Sequence, residues 1–116
     1  MKMITQTRQA VYKKFNGHCA YCGIKLTFGA MHIDHAIPKV FGGLDDYGNL
    51  MPSCHACNNY KSACRIEEFR NQLNKLFETK AYMFKSTVKA RILEQFGVIS
   101  YSEWNGKFYF EKEQSK

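Results

Sequence analysis

Two Cys-x-x-Cys pairs, Cys19-Ala20-Tyr21-Cys22 and Cys54-His55-Ala56-Cys57, constrain this chain more than any other feature. A Cys-x-x-Cys turn brings two thiolates close enough to share a metal ion, and two such turns complete a closed tetrahedral shell. Thirty-one residues separate Cys22 from Cys54, more than the linker of a small zinc ribbon. The expectation is one structural Zn2+ on Cys19, Cys22, Cys54 and Cys57, at the base of an inserted unit. His55 could replace one of the cysteines. Cys64 has no partner in this scheme and is expected as a thiol packed like a small apolar residue. A thiol–disulfide role would need only one such motif, in a βαβ pattern that is lacking here.

At 116 residues the chain has room for one domain, so residues 1–116 are read as a single unit. Its formal net charge is +7, from 17 Lys and Arg against 10 Asp and Glu. That excess favours a polyanionic partner, nucleic acid first; a basic protein that merely stays soluble has the same composition. No apolar run approaches the roughly 20 residues that span a bilayer. The opening MKMITQTRQAVYKKF lacks the apolar stretch of a secretory signal. No membrane partner and a cytoplasmic location are therefore expected. A reducing cytosol in turn favours metal ligation over disulfides.

Hydrophobic spacing predicts a helix from Thr5 to Asn16, stopped at Asn16-Gly17. Ile24 to Phe28 and Met31 to Ile33 read as short strands around Gly29. Pro38, Gly42-Gly43, Asp45, Asp46 and Gly48 mark a loop. A short apolar stretch, Asn49-Leu50-Met51, is closed by Pro52, and a helix can begin at Cys57. Further helices are predicted over Arg65 to Glu78 and Tyr82 to Phe96. Asn105-Gly106 between Val98–Tyr101 and Lys107–Phe110 is a hairpin signal.

Inside the cysteine frame lies M-H-I-D-H-A-I-P-K-V-F-G-G-L-D-D-Y-G-N-L, and the second pair continues as C-H-A-C-N-N-Y-K. Taken singly, an Asp-His pair, a helix-capping Asn and a solvated Lys are ordinary. Taken in order, C-x-x-C, D-H-x-x-P, Gly-Gly, N-L and C-x-x-C-N-x-x-K resemble the HNH endonucleases, the zinc-bearing branch of the ββα-metal nucleases. The resemblance runs from about Tyr12 to Ala63. The letters of the family name fall on His35, Asn49 and Asn58, the last being Asn in place of His, a frequent variant.

The resemblance implies an α+β fold. A ββα-metal (His-Me finger) unit over 12–63 would stand on the four-cysteine zinc site, with a helical and hairpin extension over 64–116. It also implies hydrolysis of DNA phosphodiester bonds, leaving 5′-phosphate and 3′-hydroxyl ends. His35 would be the general base, an imidazole that titrates near neutral pH. Asp34 and Asn58 would hold one Mg2+ or Mn2+ through oxygen. Asn49 would bond loop backbone and steady His35. Lys39, Lys61 and Arg65 are the expected phosphate contacts on double-stranded DNA, and a homodimer is left open. The family resemblance points to a phage or mobile-element setting by analogy alone.

Strand alternation sends Asp34 and His35 to opposite faces, so the strand must end or twist at His35. The same alternation puts His32 beside Asp34, as a third metal ligand, a phosphate contact or a plain strand histidine. The competing reading is a zinc-bearing nucleic-acid-binding module without catalysis. Such a module needs no general base beside hard-metal ligands.

Overall fold

The computed structural model describes residues 5–85, Phe96 and residues 104–114. Helix α1 (Thr5–Lys13) opens the fold. It stops short of the expected Asn16, because Asn16 and Gly17 both take positive φ, 55° and 80°. That left-handed turn reverses the chain into the first cysteine pair. Tyr12 supports the reversal by donating its hydroxyl to the Leu26 carbonyl at 2.8 Å.

The sheet is a two-stranded antiparallel ribbon of β1 (His32–His35) and β2 (Leu50–Ser53). Its register pairs Asp34 with Met51 and His35 with Leu50. The expected strand over Ile24 to Phe28 does not form. The segment makes one isolated bridge, His18 with Lys25, and then a 3-10 turn at Phe28–Ala30. Pairing stops at that bridge, made by Cys19 N to Ile24 O and Leu26 N to Gly17 O, because the tight turn at Asn16-Gly17 leaves no extended chain beyond it to pair with. The true partner of β1 is the apolar Leu50-Met51-Pro52-Ser53, buried at all four positions. Pro52 is tolerated because only its carbonyl is called on, by the Ala20 N–H at 2.8 Å.

Helix α2 (His55–Lys61) begins directly after Cys54, two residues earlier than expected, with the Cys54 sulfur capping the Cys57 N–H. Helix α3 runs unbroken over Ile66–Lys85. Two helices were expected there, but Thr79-Lys80-Ala81 holds neither Gly nor Pro to interrupt one. The rest of the second expected helix, residues 86–95, lies outside the described residues.

The last described element is α4 (Tyr109–Gln114). It replaces one arm of the expected terminal hairpin; the other arm, Val98 to Tyr101, lies outside the described residues. Glu111 is the reason: its carboxylate accepts from the Phe108 N–H at 2.8 Å, half of a capping box that starts a helix. The N–H groups of Tyr109 and Phe110 bond the Tyr21 and Ala20 carbonyls.

The chain divides into two units, Met1–Phe69 with Lys107–Lys116, and Arg70–Gly106. The core of the first is aromatic. Tyr21 meets Phe69 and Phe108 edge-on at 5.4 and 5.5 Å, while Phe69 and Phe108 stack at 5.0 Å. These rings pack directly behind the first cysteine pair. In the second unit the described residues are the remainder of α3, Phe96 and residues 104–106, with Arg70 bonding the Gly106 carbonyl. Among the described residues no helix is long and apolar enough to cross a membrane.

Candidate active site

The four cysteine sulfurs of Cys19, Cys22, Cys54 and Cys57 all lie within 4.8 Å of one another. Cys22 and Cys54 are 3.8 Å apart. Four sulfurs at metal–sulfur bonds of roughly 2.3 Å sit about 3.8 Å from each other, so the cluster has the size of a tetrahedral shell. Hydrogen bonds from Cys22 and Cys57 hold the Cys19 thiol far below its usual range, while sharing a proton with Cys19 pushes Cys22 up to about 11. Thiols crowded this way cannot all ionise without a cation among them. Gly23 closes the first turn at φ 81°. A Cβ there would meet the Tyr109 ring at 2.7 Å, so α4 can lie on the turn only over glycine. His55 is outside the cluster; it bonds His32 and Asn59 instead. None of the five cysteines is in a disulfide.

The zinc-type cluster fixes both ends of what lies above it. Cys54 and Cys57 set the first turn of α2, and α2 packs against β1. Asp34, 7% exposed, is the buried residue of β1, and His35, where the strand ends, is half-buried. Consecutive residues therefore point to different surroundings, as alternation demands. Both bonds to Asp34 fall on Oδ2: the Tyr21 hydroxyl donates to it, and the Lys61 ammonium lies 3.0 Å away. Burial, and then the Asp34 charge, push the Tyr21 phenol far up, so it stays a donor.

Lys61 corrects the expectation of a phosphate contact. It is fully buried, its ammonium shared between Asp34 Oδ2 and the His35 carbonyl, each at 3.0 Å. A lysine is buried in this way only with a partner charge, and Asp34 supplies it. Asn58 stands three residues before Lys61, on the same face of α2. From α2, Lys61 reaches Asp34 of β1.

Asn49 does bond loop backbone. Its side chain accepts from the Ile37 N–H at 2.7 Å and donates to the Ile37 and Leu44 carbonyls at 3.0 and 2.9 Å. Gly43 makes the closure possible, since a Cβ there would lie 1.7 Å from the Ile37 oxygen. Lys14 holds the same bend from below, donating to the Tyr47 and Leu50 carbonyls at 2.7 and 2.9 Å. Burial lowers the Lys14 ammonium from its ordinary range. The loop so closed brings Asp45 to His35, with Oδ1 2.6 Å from Nε2. Lys39 takes the other oxygen at 3.2 Å. The His35 ring, and then Lys39, hold the Asp45 carboxyl below its usual range.

The remaining candidates are scattered. Nε2 of His32 lies 3.3 Å from Nδ1 of His55. Arg65 is exposed, with its guanidinium 3.9 Å above the Phe41 ring. Three contributors escaped the sequence reading: Asp45, Tyr21 and Lys14. Only Asp45 left a signal, as one of two consecutive acids in a loop otherwise read for its turns.

Known proteins resemble this chain over the same segment. Residues 19–63 match the HNH endonuclease family model. The chain is 26% identical to the SPbeta prophage-derived protein YoqL of Bacillus subtilis, whose name places it with the HNH endonucleases; the match covers 88% of this chain and 41% of that protein. It is 40% identical over 47 residues to the CRISPR-associated endonuclease Cas9 of Corynebacterium diphtheriae, covering 40% of this chain and 4% of Cas9. The fold is similar to part of the Type II-C Cas9 enzyme from Actinomyces naeslundii, with a TM-score of 0.54 and 24% identity over 62% of this chain and 9% of that one. The chain thus spans well under half of the length of these relatives.

Proposed function

Because residues 19–63 match the HNH endonuclease family model, we propose that the chain is a metal-dependent endonuclease that hydrolyses DNA phosphodiester bonds. The carrying observation is the divergence of Asp34 and His35 at the end of β1, beside the packed helix α2 that carries Asn58. Hydrolysis needs an activated water, in-line attack, and stabilised charge on the phosphate and the leaving oxygen. His35, half-buried at a strand end, takes the proton from the water. Asp34 and Asn58 would hold one Mg2+ or Mn2+ through oxygen, with Tyr21 and Lys61 both bonded to Oδ2 of Asp34. Hard oxygen donors of this kind suit those ions. When bound, the cation supplies Lewis-acid stabilisation at the scissile phosphate and the leaving 3′ oxygen.

The products carry 5′-phosphate and 3′-hydroxyl ends. Zn2+ in the four-cysteine shell is structural, since a closed sulfur shell has no position for substrate. Double-stranded DNA is the partner. The net charge of +7, with Arg65 and Lys39 near the loop, supplies sequence-independent attraction to its backbone. One site cuts one strand, and a homodimer would cut both. The prophage-derived relative agrees with a phage or mobile-element setting.

The test is incubation of zinc-loaded protein with supercoiled plasmid and Mg2+ or Mn2+, followed by ligation of the products. Nicks sealed by ligase without prior phosphorylation are expected. No nicking with either ion, across pH and salt, would reject the proposal; DNA retained but uncut would favour the binding module.

A further inference from the structure

His35 is held by a residue that no motif of the chain singles out. Oδ1 of Asp45 lies 2.6 Å from Nε2 of His35. An ionised carboxylate only accepts hydrogen bonds, so the proton of that contact sits on Nε2. The lone pair of the neutral ring is then on Nδ1. Oδ2 of Asp45 meets the Lys39 ammonium at 3.2 Å, which fixes the carboxylate on both sides.

Asp45 is exposed, and an exposed ion pair by itself contributes little stability. Its placement, however, is built. Asn49 bonds the carbonyl of Leu44, the residue just before Asp45, and clamps both backbone groups of Ile37. Asp46, the residue just after, caps the Asn49 N–H at 3.1 Å. Asp45 is therefore flanked by fixed backbone on each side. The side chain of Asn49 makes all three of its bonds to loop backbone, two at Ile37 and one at Leu44, so it reaches the His35 ring only indirectly, by way of Asp45.

We propose that Asp45 is the positioning residue of His35, keeping the imidazole in its Nε2–H form and aiming Nδ1 at the attacking water. This rests on the nuclease reading above. The other charges facing His35 are Lys39 from the loop, the Lys61 ammonium on its carbonyl and the neighbouring Asp34. None of these bonds the ring. A carboxylate beside a DNA-cutting site also repels phosphate. Simple charge logic thus makes the loss of Asp45 favourable for binding, whereas a positioning role makes it costly for turnover. The two effects have opposite signs.

The experiment compares the zinc-loaded full chain with Asp45→Ala, Asp45→Asn and Asp45→Glu. Long-range 1H–15N spectra at a single pH near 8 read the neutral His35 tautomer without any substrate. Wild type is expected as Nε2–H, and Asp45→Ala as a mixture. In cleavage of plasmid with Mg2+, Asp45→Ala is expected to lower kcat about 10–100-fold, the usual loss for a removed orienting partner. Its KM for DNA should be unchanged or lower. Asp45→Asn keeps an acceptor oxygen and should retain the tautomer and part of the rate. Asp45→Glu should recover more activity than Asp45→Ala. Cleavage by wild type together with unchanged kcat in Asp45→Ala would overturn the role of Asp45, as would an unchanged tautomer. Absence of cleavage by wild type would instead sink the nuclease reading, and the catalytic role of Asp45 with it.

Discussion

The Lys61 ammonium lies 3.0 Å from Oδ2 of Asp34, and both side chains are buried. The pair ties the last turn of α2 to the residue that precedes the proposed base. Its second bond, to the His35 carbonyl, pins the strand where Asp34 and His35 part. Lys61→Met leaves Asp34 buried opposite a thioether, which typically costs about 3–5 kcal/mol. Urea unfolding of the zinc-loaded protein should show that loss. Adding Asp34→Asn to Lys61→Met should recover part of it without restoring cleavage. A Lys61→Met protein as stable as wild type would show that the pair is not closed in solution.

Removing the metal from the four-cysteine cluster should unfold the site. The sulfurs sit at shell spacing, and such binding free energy is folding free energy. Cys54→Ser and Cys57→Ser should each abolish the folded circular-dichroism signature and cleavage together. Strong chelator should do the same to wild type, and added Zn2+ should reverse it.

Asn49→Ala deletes three bonds to Ile37 and Leu44. Water can reach those backbone groups, so the loss should be modest, about 0.5–1.5 kcal/mol in a thermal melt. Turnover should fall with zinc content unchanged, because none of the three bonds reaches a cysteine of the cluster. Zinc loss in that variant would mean that the loop and the cluster are coupled.

The cysteine frame could be read from the chain because it is local, and the residues proposed to react are carried by equally short motifs. A cysteine turn, an Asp-His pair and an Asn beside a cysteine each carry their chemistry within a few residues. What the sequence hid depends on contacts across the fold. Pro52 reads as a strand breaker, yet it lies in β2, where only its carbonyl is needed. Lys61 reads as an exposed phosphate contact, because its burial depends on Asp34, twenty-seven residues earlier. Asp45 reads as one acid of a polar loop, and only the closure made by Asn49 and Gly43 brings it to His35. The Asn105-Gly106 signal favoured a hairpin, but the Glu111 cap turns Tyr109 into a helix.

His35 carries the central claim, and a single-turnover comparison of wild type and His35→Ala on plasmid with Mg2+ or Mn2+ tests it most directly. His35→Ala is expected to keep its zinc, its melting temperature and its DNA affinity, and to cut about 100–10,000-fold more slowly, the usual worth of a positioned base. Cleavage by His35→Ala at the wild-type rate would contradict the assignment of His35 as the base and the site built around it.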